Sequence, residues 1–349
     1  MKLRTLMFVA FLLAIIPTAP ASAQRGKGLE VGSQAPGLNV EWVKDKFDAS
    51  DAEVYVVEFW ATWCSPCRKS IPHLTKLQEE FGEQGLKIVG ISTDENPDVV
   101  EPFVKRQGMK MDYIVGVDNR KRTQRAWMDA AGQKGIPSAF IVDREGVIQF
   151  IGHPLSEEFE DVLVKVISGR YNLKKQIEAE PSIEAAKTYR AGNSWTEAAK
   201  AYENAIEIDN MVFAYLYLEH FHMLLIDKKD PTAAYAYVQK VITERGSEDP
   251  ELLTWFAKDI AENEEIPESN RRMDVAMNAA TTALSFARRK TDPMFLSAIA
   301  FVHFHNDEIE KAIEWQRNAY FSAKEKDKSA YKYDLDSYRT QKQHAEAGE

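Results

Sequence analysis

Apolar and polar positions follow two different rhythms along the chain. In the first half, short runs rich in β-branched residues alternate with stretches whose apolar residues recur at helical spacing. Val54–Phe59 (VYVVEF) and Leu86–Ser92 (LKIVGIS) read as buried strands. Tyr113–Val117 is a third, while Ser138–Val142 and Val147–Ile151 flank Asp143-Arg144-Glu145-Gly146, a hairpin turn. Between them, Ser65–Phe81, Asp98–Gln107 and Thr123–Ala131 are expected as helices, with Ile71, Leu74, Leu77 and Phe81 on or near one face of the first. Leu155–Ser168 is expected to close this half as a helix. Strands alternating with helices predict an α/β sheet covered on its faces.

From about Glu178 the strand pattern stops. The remainder reads as helical, rich in alanine and aromatic residues, with turns at Gly192-Asn193, Asp230-Pro231 and Asn306-Asp307. A weak internal repeat runs through it: Ala198, Tyr202, Ala205; Ala234, Val238, Val241; Ala276, Ala280, Ala283; and Ala312, Gln316, Ala319. The leading alanines stand 36, 42 and 36 residues apart, and small residues there let paired helices approach closely. Ala186–Asn210 resembles a tetratricopeptide repeat, and Asn306–Ala323 the second half of one. The aromatic run Phe213, Tyr215, Tyr217, Phe221 is expected in the core. The expected domains are therefore an α/β unit over 28–169, a linker over 170–177 and an all-α, tetratricopeptide-like unit over 178–340.

Composition narrows the setting. Lys2 and Arg4 precede the unbroken apolar run Leu6–Ile16, and Ala21-Ser22-Ala23 fits small-residue cleavage, so 1–23 reads as a signal peptide. The run is shorter than the roughly 20 residues of a spanning helix. A mature chain starting near Gln24 would be periplasmic or secreted, with no membrane span. Its formal charge would move from −10 to −12 on loss of Lys2 and Arg4. That argues against the clustered positive surface that nucleic acid or an anionic membrane would require.

The 349 residues contain 2 cysteines, and they stand three positions apart in FWATWCSPCRK. A disulfide closing so short a loop stabilises little, because its effect comes mainly from restricting the unfolded chain. The pair therefore points to chemistry. Cys64 falls between a strand and a helix, where unpaired backbone N–H groups and the helix dipole favour a thiolate. Cys67, one turn further on, is placed to resolve a mixed disulfide. Pro66 suits a first helical turn.

VVEFWATWCSPCRKSIP resembles the active-site segment of the thioredoxin superfamily. Together with VGSQAPGL and the long stretch between Ser92 and Tyr113, it is most similar to exported TlpA/ResA-type redoxins, over roughly Leu29 to Gly169. The resemblance implies that Cys64 attacks, Cys67 resolves and the two cycle through a redox disulfide. It implies that Trp60 and Trp63 flank the site and that Ile136-Pro137 is the cis-proline bond that holds an extended client strand. Glu58 matches a buried acid, and its place inside an apolar strand independently suggests a carboxyl of raised pKa that exchanges protons with Cys67. Pro72 matches a proline that kinks the helix. One departure is Ser70, where some ResA-type proteins carry a second acid.

The expected function is a protein thiol-disulfide oxidoreductase with no cofactor and no metal. Its partners would be protein disulfide or dithiol clients, a redox-recycling partner, and a protein or peptide ligand of the helical unit. The alternatives are an interaction module that uses the redox fold only for docking, or a peroxiredoxin-like peroxidase. The latter shares Ala35-Pro36, but position 61 holds alanine where the peroxidase pattern has threonine. A c-type haem site needs histidine where Arg68 stands, and zinc needs four ligands. His220-Phe221-His222 and His303-Phe304-His305 place histidines two apart, on different helix faces.

Overall fold

The computed structural model describes residues 28–325 and 327–347; the expected signal peptide, 1–23, lies outside them. The first half builds a six-stranded sheet from β1 (Val40–Lys44), β2 (Val54–Trp60), β3 (Leu86–Ser92), β4 (Ile114–Asp118), β5 (Ser138–Val142) and β6 (Ile148–Gly152), in the order β1-β4-β3-β2-β5-β6. β2, β3 and β4 run parallel, whereas β5 is antiparallel to β2, β6 to β5 and β1 to β4.

The central strand β2 is buried at all seven positions, which explains its unbroken apolar run. Val54, Val56 and Trp60 face a layer built from α1 (Cys67–Phe81), α2 (Val100–Gln107) and α4 (Glu157–Ile167). Tyr55, Val57 and Phe59 face the opposite layer, around Trp127, Met128 and the N-terminal segment. The fold is thioredoxin-like α/β followed by helices, as expected.

Four elements differ from expectation. β1 was not foreseen: VEWVK is five residues long, its register shifts between Trp42 and Lys44, and none of its positions is fully buried, which suits an edge strand. Helix α1 begins at Cys67 rather than Ser65. The helix expected over Thr123–Ala131 is a short α3 (Arg122–Gln124) that passes into π-helix over Arg125–Asp129. Its start is fixed by the Asp118 carboxylate, which accepts from the backbone N–H groups of Thr123 and Gln124 at 3.0 and 2.7 Å. The segment 170–177 is helical from Leu173, where α5 (Leu173–Ala191) begins under an Asn172 cap.

Beyond α5 follow α6 (Trp195–Ile208), α7 (Tyr215–His222) with its π-helical continuation Met223–Asp227, α8 (Pro231–Arg245), α9 (Pro250–Glu262), α10 (Met273–Phe286), α11 (Pro293–His305), α12 (Ile309–Ser322) and α13 (Lys328–Ala347). Three of them open on Asp-Pro: Asp230, Asp249 and Asp292 each accept a first-turn N–H, and proline occupies the position whose N–H needs no partner. α5 packs on α6, α9 on α10 and α11 on α12. All twelve residues of the repeat pattern are buried, and its four leading alanines are completely so. Phe213, Tyr217 and Phe221 lie in the helical core, while Tyr215 is half exposed. Among the described residues, no helix is long and apolar enough to cross a membrane.

Candidate active site at the start of the first helix

Cys64 follows β2 by four residues and is joined to Cys67 by a disulfide. The Cys67 backbone N–H donates to Cys64 Sγ at 3.2 Å. The sulfur thus takes the place of a capping group at the start of α1, where a thiolate would gain most from the helix terminus. Cys64 retains 3% of its surface and Cys67 none, so any approach from outside reaches Cys64 first. Cys64 Sγ also lies 3.7 Å from the carbonyl oxygen of Ile136, and Ile136-Pro137 is a cis peptide. The two expected site segments therefore meet at the disulfide.

The two tryptophans separate. Trp63 is 70% exposed beside the disulfide, whereas Trp60 is completely buried and packs on Phe103 with ring centroids 5.3 Å apart. Of the two expected client-binding tryptophans, Trp60 points into the core and only Trp63 presents its ring at the surface. Between Trp63 and Ile136 opens a groove of about 1220 Å³, also lined by Val99, Lys121, Met128 and Asp129. Lys121 and Glu95 pair across it at 3.4 Å.

Glu58 is completely buried, and it reaches the Cys67 backbone through Ser70, whose hydroxyl lies near both Glu58 Oε1 and the Cys67 carbonyl oxygen. Its neighbours across the sheet are Gly90 on β3 and Ala139 on β5, with Gly152 next on β6. At the two glycines aromatic rings occupy the space a side chain would take, Tyr113 and Trp60 over Gly90 and Phe150 over Gly152. A Cβ at Gly90 would come within 2.9 Å of the Tyr113 ring and 3.1 Å of Trp60 Nε1. Glu58 Oε1 accepts from Ser70 Oγ at 3.1 Å, and Oε2 is buried with no partner among the described residues. Burial pushes the carboxyl up to about 8, against a partly offsetting hydrogen bond from Ser70. Burial and the adjacent Glu58 charge likewise hold the Tyr113 phenol well above its ordinary range.

Sequence reasoning missed Asp94. Its carboxylate accepts from the backbone N–H and the hydroxyl of Thr62 at 2.8 and 2.7 Å, and from the Ser92 hydroxyl at 2.7 Å. This clamp ties the end of β3 to the loop that carries Trp63 and Cys64. Its trace in the sequence is the polar run Ser92-Thr93-Asp94 at the end of a buried strand. Both histidine pairs are engaged otherwise: His222 Nε2 lies 2.7 Å from the Asp259 carboxylate, His303 Nδ1 2.7 Å from that of Glu308, and His220 stacks between Tyr202 and Tyr237.

The model of the AhpC/TSA family matches residues 31–151. The thiol:disulfide interchange protein HelX of Rhodobacter capsulatus is 30% identical over 142 residues, which is 39% of this chain and 74% of HelX. The chain belongs to the ResA/HelX family of thiol-disulfide oxidoreductases. The thiol-disulfide oxidoreductase ResA of Bacillus subtilis is 27% identical over 150 residues, 42% of this chain and 80% of ResA. Among solved structures, a thiol:disulfide interchange protein of Chlorobium tepidum is 27% identical, covering 41% of this chain and 98% of that one, with a TM-score of 0.35. In this family member the 2 cysteines of the chain form the disulfide, next in sequence to Trp63, which lines the groove together with Ile136.

Proposed function

We propose that the protein is exported and exchanges disulfides with protein clients through Cys64 and Cys67, while its helical half binds a partner. The observation that carries this is the Cys64–Cys67 disulfide at the start of α1, with a buried acid joined to the Cys67 backbone through Ser70 and a groove lined by the neighbouring Trp63. In the reducing direction, the Cys64 thiolate attacks a client disulfide. One client sulfur leaves as a thiolate and takes up a proton, and a Cys64–client mixed disulfide remains. The Cys67 thiol then gives its proton to the Glu58 carboxylate and attacks Cys64 Sγ. The Cys64–Cys67 disulfide forms, the second client thiolate is released, and two electrons have passed from enzyme to client. The same steps reversed oxidise a dithiol, and a separate redox partner resets the pair.

Trp63 and the Ile136-Pro137 edge are proposed to hold the client strand, and the expected units 28–169 and 178–340 to divide catalysis from partner binding. The HelX and ResA names support the chemistry; the apolar N-terminal run supports export. The mature protein should catalyse dithiothreitol-dependent insulin reduction. Cys67→Ser should accumulate disulfide-linked client through Cys64, and Cys64→Ser should accumulate almost none. Trapping mainly through Cys67 would reverse the two roles. The AhpC/TSA match favours a second test, peroxide consumption, which should stay at background because Ala61 stands where the peroxidase pattern has threonine.

A further inference from the structure

Ser70 is completely buried on the first turn of α1, and its hydroxyl has two acceptors within reach. The Cys67 carbonyl oxygen lies at 2.9 Å and Glu58 Oε1 at 3.1 Å. A serine hydroxyl has one proton to donate, so it serves one acceptor at a time. When Glu58 is ionised it has no proton of its own, and the buried charge requires the Ser70 proton. When Glu58 is neutral, its own O–H can donate to Ser70 Oγ, and Ser70 turns its proton to the Cys67 carbonyl. The two arrangements connect the acid to the backbone of the resolving cysteine.

We propose that Ser70 is a positioning residue for the proton transfer from Cys67. Its hydroxyl donates to the Glu58 carboxylate before the transfer and turns to donate to the Cys67 carbonyl afterwards. The proposal rests on Glu58 being the proton acceptor. The surroundings leave Ser70 as the charged form's one protein donor among the described residues. β3 and β5 present Gly90 and Ala139, which carry no charge. α1 presents Cys67 and Ser70, and the segment entering β4 presents Tyr113, whose hydroxyl is unpartnered among the described residues. Oε2 has no partner there either, which leaves it open to the arriving proton while Ser70 holds Oε1. The Ser70 bond favours the ionised acid and so opposes the effect of burial.

Reduced full-length protein mixed with 5,5′-dithiobis(2-nitrobenzoate) tests this in one trace at 412 nm. Attack by Cys64 releases one coloured thiolate, leaving a mixed disulfide, and attack by Cys67 then releases the second. The rate of the second phase should rise with pH through a midpoint near 8. Ser70→Ala should carry that midpoint about one pH unit higher and slow the second phase near pH 7 about tenfold, since one charge-assisted hydrogen bond is lost. Ser70→Thr, which keeps the hydroxyl, should restore the original profile. An unmoved midpoint in Ser70→Ala would overturn the proposal, and so would an equal displacement in Ser70→Thr, which would assign the effect to packing. A second phase whose pH profile survives Glu58→Gln would instead overturn the role of Glu58 itself, so the two failures are distinguishable.

Discussion

Glu58 brings a cost as well as a proposed role. Its carboxyl titrates near 8 in the folded, disulfide-bonded protein against an ordinary value of 4.5, because burial disfavours the charge. Between those two pH values the folded chain retains a proton that the unfolded chain has released. Stability is therefore greatest below about pH 4.5, as far as this group is concerned, and declines as pH rises through 8. The decline should be on the order of a few kcal/mol. Urea denaturation of the oxidised protein at pH 5 and pH 8.5 should show it, and Glu58→Gln, which cannot ionise, should flatten the dependence. An equal slope in both proteins would mean the carboxyl is not desolvated. A lone acid among VYVVEF was legible in the sequence because it breaks an apolar period. Ser70 was noted only as a departure from relatives, and Asp94 not at all. Both are ordinary polar residues whose importance comes from what the fold brings beside them. Trp60 and Trp63 show the same limit: three positions apart and alike in chemistry, one ends on a strand inside the core and the other on an open loop.

At the scale of elements, the site is made where the C-terminal ends of β2 and β3 come together. Hydrophobic period located both strands, and the Cys-x-x-Cys pattern located the start of α1, but no period describes the loops between them. The Asp94 carboxylate spans that join with three hydrogen bonds, two of them to Thr62. Asp94→Ala should leave the Thr62 N–H and hydroxyl without their acceptor and destabilise the protein by about 1–3 kcal/mol. It should also loosen the Cys64 loop, which alkylation of reduced Cys64 by iodoacetamide would report as an altered rate. Unchanged stability together with an unchanged alkylation rate would remove the clamp from the site. β1 escaped notice for a related reason: an edge strand with polar residues facing solvent lacks the continuous apolar run that identifies β2 and β3. The helical half was easier, since alanines that must sit at helix crossings impose their spacing on the sequence whatever the loops do.

At the scale of the whole molecule, the segment expected to be a linker is a fastening. Arg170 donates from both terminal nitrogens to the Asp249 carboxylate at 2.7 and 2.7 Å, and its guanidinium lies 4.5 Å from the Trp255 ring centroid. Asp249 also caps α9 by accepting from Leu252 N–H at 3.1 Å. Two residues on, Asn172 donates to Asp143 at 3.2 Å and Leu173 N–H to Gln149 at 2.9 Å, so the β5–β6 hairpin closes over the start of α5. Lys175 pairs with Asp209. A charged pair with exposures of 11% and 3% has little water to replace a lost partner. Arg170→Ala should therefore cost about 3–5 kcal/mol. This fastening sits by the crevice that includes Glu53 and Val54, at the start of β2, whereas Cys64 follows its far end. Seven residues of strand separate the two by roughly 20 Å. The junction with the helical half thus lies at the opposite end of β2 from the sulfur chemistry. Arg170→Ala should accordingly lower the urea midpoint while leaving insulin reduction by the folded variant at its original rate. A folded Arg170→Ala protein that reduces insulin several-fold more slowly would overturn this separation, because the loss could then reach Cys64 only through the junction between the halves.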